Sequence, residues 1–169
     1  PWLTSVGNAT HNRLYVGDVT LGDGMVLTGA SGNAKNEPTQ LIRARDAGMA
    51  GIDPNDINLN RCFGKADGAA FQVYLDPAKV AGKILVCDRG DNVLVNKSAN
   101  GKLAGAAGVI IANAEGTANT IINQAHTIST VHLARVDGDK LKAYMASNAS
   151  ATAAMGNLRG VLDPTVQAP

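Results

Sequence analysis

The sequence predicts a mixed α/β domain, and three stretches predict it. Residues 82–113 read as strand, helix, strand: Lys83-Ile84-Leu85-Val86-Cys87 is a buried-strand run bounded by Gly82 and Arg89-Gly90. Residues 93–104 then space Val95, Ala99 and Leu103 as a helix does, and Val109-Ile110-Ile111 is fully apolar. A βαβ unit of this length lays its two strands parallel. Near the start, Leu14-Tyr15-Val16, Val19 and Leu21 alternate as a strand, and Gly22-Asp23-Gly24 turns the chain into Met25-Val26-Leu27. Near the end, the strand-like Thr130-Val131-His132-Leu133-Ala134 leads into a helical pattern.

The remaining elements follow in order. Residues 29–39, rich in Gly, Asn and Pro, read as loop, and Leu41-Ile42 opens a short apolar segment with Arg43 and Arg45 alternating. Residues 48–60 are polar, with a turn expected at Asp53-Pro54. Phe71-Gln72-Val73-Tyr74-Leu75 forms a short strand or helix stopped by Asp76-Pro77. Gly101 weakens the helix in the βαβ unit by roughly 1 kcal/mol relative to Ala, and Gly105 ends it. Asp137 is the expected N-cap of a later helix with Leu141, Tyr144 and Met145 on one face. Thr152-Ala153-Ala154-Met155 returns as a short final strand.

The chain has 169 residues, one domain's worth. Apolar residues are 45%, but 27 are Ala, a further 19 residues are Gly, and aromatics are only 4%. The core therefore rests on Val, Ile and Leu, with small residues letting backbones approach closely. Charged residues are 17% and mean hydropathy is −0.02, which excludes a disordered chain. Net charge is +1 and no two basic residues are adjacent, which argues against a nucleic-acid surface or a polybasic membrane surface. The longest low-polarity run, residues 103–112, falls far short of the roughly 20 that a membrane span needs. Pro1-Trp2-Leu3 opens the chain without Met or a basic, signal-like stretch, so the expectation is a piece excised from a longer polypeptide.

The inventory of reactive groups is sparse. His126 and His132 lie six apart, which is neither a helical nor a metal-ligand spacing, and His132 inside an apolar strand is expected to be a hydrogen-bonded sheet residue. Gly29-Ala30-Ser31-Gly32 lacks the spacing of a nucleophile elbow, so no catalytic residue is assigned. Gly64-Lys65, Gly82-Lys83 and Gly101-Lys102 are never followed by Ser or Thr, which removes a phosphate-cradling loop. Asp56, Asn58, Asn60 and Asp67 imitate a calcium loop, but Arg61 stands where that turn needs Gly. A solvated loop is expected there, with no metal or other cofactor. Asn8-Ala9-Thr10, Asn96-Lys97-Ser98 and Asn148-Ala149-Ser150 match the N-glycosylation sequon, a match that arises easily by chance. Cys62 and Cys87, 25 apart without a C-x-x-C pair, exclude a zinc ribbon and leave a disulfide and two unrelated thiols evenly open.

One set of motifs carries a resemblance. Gly82-Lys83-Ile84-Leu85-Val86-Cys87-Asp88-Arg89-Gly90, then Lys97, then Ala104-Gly105-Ala106-Ala107-Gly108-Val109-Ile110-Ile111-Ala112-Asn113, resembles the signature of the protease-associated (PA) domain. More narrowly it is similar to the PA domain of subtilisin-like serine proteases, the subtilases. Residues 1–11 (PWLTSVGNATH) resemble the subtilase strand before that domain, and the Cys before Asp-Arg-Gly, with an upstream Cys and Asp76-Pro77 between, matches the subtilase version. The chain departs from the pattern at Asp91-Asn92-Val93-Leu94, where many PA domains carry Cys and an aromatic, and at Ser129, where subtilases commonly have Pro.

The resemblance implies a β-rich core, barrel- or sandwich-like, of about six to eight strands with about two flanking helices. It implies that Cys62 and Cys87 pair. It divides the chain into an edge strand of the catalytic domain (1–13), the PA domain (14–155) and a linker back (156–169). It further implies a non-catalytic part of a secreted serine endopeptidase whose Asp, His and Ser lie elsewhere, so His11 is not the catalytic histidine. Expected partners are the parent's catalytic domain, a protein or peptide substrate, and another copy of the domain as a homodimer. The alternative is a stand-alone peptide-binding or sorting receptor ectodomain. Loops at strand ends are where binding residues concentrate. That nominates Arg89, Asp91, Asn92 and the loop 114–126 with His126, against the plain alternative of solvated turns.

Overall fold

The computed structural model describes residues 13–69 and 73–162. The expectations placed on residues 1–11, on Phe71 and Gln72, and on the tail beyond Leu162 lie outside the described residues. Seven strands close into one barrel: β1 (Arg13–Leu21), β2 (Val26–Ala30), β3 (Asn36–Arg43), β4 (Ile84–Asp88), β5 (Gly108–Ala112), β6 (Thr130–Leu133) and β7 (Thr152–Leu162). Their order around the barrel is β1-β2-β6-β5-β4-β3-β7. Strands β3 to β6 run parallel, and β1, β2 and β7 complete the circuit antiparallel. Two full helices flank it, α3 (Leu94–Leu103) and α4 (Arg135–Ser147), and two single-turn helices, α1 (Ile57–Asn60) and α2 (Pro77–Val80), sit in the connection before β4.

The βαβ unit stands as the pattern demanded. β4 and β5 pair parallel from Ile84↔Gly108 to Asp88↔Ala112, with α3 between them in sequence. Gly105 takes a positive φ of 83°, the left-handed turn that ends a helix cheaply only with Gly. Gly101 has a packing reason as well, because a Cβ there would lie 2.7 Å from Val109 Cγ2.

Elsewhere the chain corrects several expectations. Residues 36–39, expected as loop, are the first half of β3, paired with β7. Pro38 is tolerated because the ladder is irregular between Asn36 and Thr39. Leu75 makes an isolated bridge to Gly48, and the described residues 73–75 form no sheet strand. Helix α4 starts two residues before Asp137, with Ala134 at the N-cap. Asp137 is spent instead on Lys140 at 2.9 Å. The last strand does not stop at Met155 but runs to Leu162, because β1 offers it a partner as far as Arg13.

Side chains alternate along the strands and divide the core in two. All seven strands contribute to the first cluster, with Val19, Leu27, Ile84, Ile110 and Leu133 fully or nearly fully buried and Leu141 and Tyr144 of α4 packed on it. The other face of β4 and β5 presents Leu85, Cys87, Val109 and Ile111 to Leu94 of α3, Leu59 of α1 and Val80 of α2. Burying one such aliphatic side chain contributes about 1.5–3 kcal/mol. Asp18 pins the irregularity between β1 and β7. It accepts hydrogen bonds from Thr28 Oγ1, Asn157 Nδ2 and Arg159. Burial alone would raise its pKa, but these donors and the guanidinium charge hold it below the usual carboxylate value.

The barrel's narrowest seam is β2 against β6, a single register pair, Ala30↔His132. There Gly29 faces the β6 backbone, and a Cβ would lie 2.4 Å from the His132 carbonyl oxygen and 2.8 Å from Val131 Cγ1. Backbone cannot give way as a side-chain tip can. We expect Gly29→Val to destabilise the domain by about 3 kcal/mol or more through overpacking, measured by urea unfolding. An unchanged midpoint would show that the seam opens freely.

Candidate functional site

Three parallel strands, β4, β5 and β6, bring their carboxyl ends side by side, and the chain leaves each through a loop or turn. In open α/β sheets such carboxyl ends are where ligands gather. Residues 89–93 leave β4 and residues 113–129 run from the carboxyl end of β5 back to the amino end of β6, so Arg89, Asp91, Asn92 and the first part of the 114–126 loop fall at this end of the barrel.

Arg89 does not project outward to a ligand. Its guanidinium donates to the carbonyl oxygens of Ala118 at 2.9 Å and Thr120 at 2.6 Å, and to Asn113 Oδ1 at 3.3 Å. It therefore braces the loop 114–120 from beneath. Asn113, fully buried at the end of β5, is the hub of this brace. It accepts from His132 and donates through Nδ2 to Thr120 O at 3.2 Å. The His132 ring accepts from Ile122 N at Nδ1 (3.0 Å), so Nε2 carries the proton donated to Asn113 Oδ1 at 2.8 Å. Burial pushes its pKa down to about 4, keeping the ring neutral. The expected hydrogen-bonded sheet histidine is thus what His132 is.

Asn92 faces inward too. Its Oδ1 accepts from the Lys97 ammonium group, whose Nζ also donates to Arg61 O at 2.7 Å. Lys97 is completely buried, and burial lowers its pKa from 10.5 to about 7 against the opposing pull of Asp67. Asp67 collects the surrounding donors: Gly64 N and Asn100 Nδ2 on one oxygen, Asn96 Nδ2 at 3.0 Å on the other. Asp56, the other half of the imitated calcium loop, caps α1 by accepting from Asn58 N and Leu59 N. Both carboxylates are structural parts of a cross-braced loop. Asp91 is the outward residue of this group, its side chain 94% exposed while it pairs with Arg61 at 2.9 Å.

Beneath these loops Cys62 and Cys87 form a disulfide, with Cα atoms 5.6 Å apart and both residues fully buried. It ties the segment after α1 to β4, one residue from Asp88. Asp88 in turn is held by Lys142 of α4 at 2.6 Å.

His126 lies where the loop has turned back towards the amino end of β6, whose first residue, Thr130, donates to the same Asn33 side chain that His126 contacts. Its Nδ1 is 3.1 Å from Ser98 Oγ of α3, its carbonyl accepts from Asn33, and burial lowers its pKa. It lines a polar hollow of about 460 Å³ with Gly32, Asn33, Asn123 and Gln124. A serine and a histidine in contact suggest nucleophilic chemistry, but Ser98 is fully buried and its hydroxyl donates to Val95 O at 2.8 Å. Ser31, the nearest approach to a nucleophile elbow, likewise donates to Thr130 O. The structure thus gathers Arg89, Asp91 and Asn92 at one loop and places His126 apart from them, towards the amino end of β6. The residues missed by sequence reasoning are Asn113, Asp67 and Asn100. Asn113 carried a signal, a polar residue directly after an apolar strand; Asp67, which in sequence only imitated a calcium loop, and Asn100, inside α3, gain their roles only with the loops folded over them.

The comparisons with known proteins agree with this architecture. The family model of the PA domain matches residues 51–141. The chain is 35% identical to the subtilisin-like protease SBT5.4 of Arabidopsis thaliana over 151 residues, 87% of this chain and 18% of that protein. It is 33% identical to the Arabidopsis thaliana subtilisin-like protease SBT1.7 over 165 residues, 96% of this chain and 20% of that protein. The chain therefore spans about a fifth of the length of these curated relatives. Among solved structures, a zinc aminopeptidase from Bacillus subtilis, BSAP, superposes with a TM-score of 0.50 at 19% identity, covering 90% of this chain and 32% of that one, a likeness of fold alone. A family match over more than half the chain, on the segment that holds β4, α3, β5 and β6, settles the assignment: this chain belongs to the PA domain family and is similar to the PA region of subtilisin-like proteases.

Proposed function

We propose that this chain is the non-catalytic PA domain of a secreted subtilisin-like serine endopeptidase, and that its loop end governs how protein substrates reach the parent's active site. One observation carries this reading. The loops at the carboxyl ends of β4 to β6 are braced from below by Arg89, Asn113, the Lys97–Asn92 contact and the disulfide, while Asp91 and much of 115–125 face solvent. A rigid shelf with an exposed polar rim suits docking of an extended polypeptide, whose ordering cost falls when the receiving surface is already fixed. The disulfide accords with an oxidising compartment. In this reading Asp91 on the rim meets the partner, His126 does so only where the partner follows the loop back towards β6, and Arg89 and Asn92 position the loops.

Two measurements test it. The isolated chain is expected to leave fluorescently labelled casein intact, and casein turnover abolished by a serine-directed inhibitor would overturn the accessory role. In the full-length polypeptide, replacing residues 115–121 by a short Gly-Ser linker is expected to change KM for casein several-fold. The kcat on a tripeptide anilide, too short to reach the shelf, is expected to stay unchanged. Equal effects on both substrates would show that the loop supports folding alone.

A further inference from the structure

The three sequons find very different surroundings. Asn8 lies outside the described residues. Asn96 sits inside α3, donates to Asp67, and is followed by Lys97 and Ser98, both fully buried. A glycan there would have to leave through the network that holds the loops. Asn148 is different: it caps the C-terminus of α4, and residues 146–150 are all exposed.

We propose that Asn148 is an N-glycosylation site, taking its oligosaccharide from a polyprenyl-diphosphate-linked donor. The inference rests on the proposed passage through a secretory compartment. In the transfer Nδ2 attacks C1 of the terminal N-acetylglucosamine. The new N–C1 bond forms as the C1–O bond to phosphate breaks, the lipid diphosphate departs with the electron pair, and the amide gives up one proton to a base. The native contacts accommodate the product. Oδ1 still accepts from Ser150 N at 3.1 Å, and the proton left on Nδ2 still reaches the Tyr144 hydroxyl at 3.4 Å. Ser150, the sequon hydroxyl residue, is exposed beside it.

The position has a structural consequence. Asn148 borders a polar groove of about 520 Å³ lined also by Arg43, Arg45, Asp46 and Met145. A hydrated oligosaccharide over this groove keeps it in solvent, so the face formed by β3 and the end of α4 is not where other protein surfaces pack. Partners are left the loop end on the opposite termini of the parallel strands.

The test is expression of the full chain behind a cleavable leader in a eukaryotic secretory host, followed by peptide mapping of the secreted, disulfide-bonded product. The peptide containing Asn148 is expected to carry glycan, and enzymatic glycan removal should leave the deamidated residue there. Asn148→Gln and Ser150→Ala are expected to abolish the modification, and Ser150→Thr to retain it, all three with an unchanged urea midpoint. An unmodified Asn148 in the secreted product overturns the site. Because the leader imposes secretion, that result leaves the native compartment untouched, which is read separately by locating the natural protein.

Discussion

Replacing Cys62 and Cys87 together by Ala is expected to remove about 3.5 kcal/mol of stability, the loop-closure entropy of a 25-residue ring in the unfolded chain. The loss will not be spread evenly. Cys62 holds a left-handed backbone, with φ of 52°, at the point where the chain leaves α1. Its neighbour Arg61 provides the carbonyl that Lys97 needs and the guanidinium that pairs with Asp91. Freed of its tether, the stretch 57–69 is expected to exchange amide hydrogens far faster than the barrel strands, since it is held otherwise by few apolar contacts. Urea unfolding with and without reductant, with hydrogen exchange resolved by peptide, checks both parts. A double variant within 1 kcal/mol of the parent, with 57–69 still protected, would show the bridge to be dispensable.

The second large effect is a dependence of stability on pH centred on Lys97. In the folded protein its pKa is about 7, and in the unfolded chain it returns to its ordinary 10.5. Between those values the unfolded state binds one more proton than the native state, so stability rises with pH across the window 7 to 10.5. The full window corresponds to on the order of 5 kcal/mol. It is present above pH 10.5 and lost as pH falls to 7. The carboxylates around the amine, Asp67, Asp88 and Asp91, temper the effect without reversing it, and the Arg61 guanidinium adds to it. A neutral amine has two hydrogens, enough for its two acceptors, Arg61 O and Asn92 Oδ1. Lys97→Met, of similar length, is therefore expected to abolish the alkaline gain, so that the difference between parent and variant widens in the parent's favour from pH 7 to pH 10. Parallel stability curves for the two proteins would refute this.

Both predictions concern features that the sequence displayed but did not explain. Lys97 was visible as one position of the family-like pattern, and its neighbours on α3 gave the helix its spacing. Nothing in that spacing tells a buried amine from a solvated one, because burial comes from the loop that the disulfide folds over α3. Arg89 shows the same division. Its place after an apolar strand pointed to a loop end, and it does lie there, but its Nη1 is turned inward on Ala118, Asn113 and Thr120, residues 24 to 31 positions away. His126 and Asn92 were nominated together and belong to different corners, since loops of similar composition can turn either way.

What the sequence by itself determined is the βαβ unit, the β1–β2 hairpin before it, the strand and helix after it and a core built on Val, Ile and Leu. Those depend on periodicity, and periodicity is local: 2.0 for strands, 3.6 for helices. Only the tertiary structure decided that residues 36–39 are strand rather than loop, that β7 continues to Leu162, and that the barrel closes through the single pair Ala30↔His132. Each of these depends on a partner strand far away in sequence. An exposed, polar strand such as Asn36–Arg43 has little apolar alternation of its own and becomes a strand because β4 and β7 offer it unpaired backbone groups.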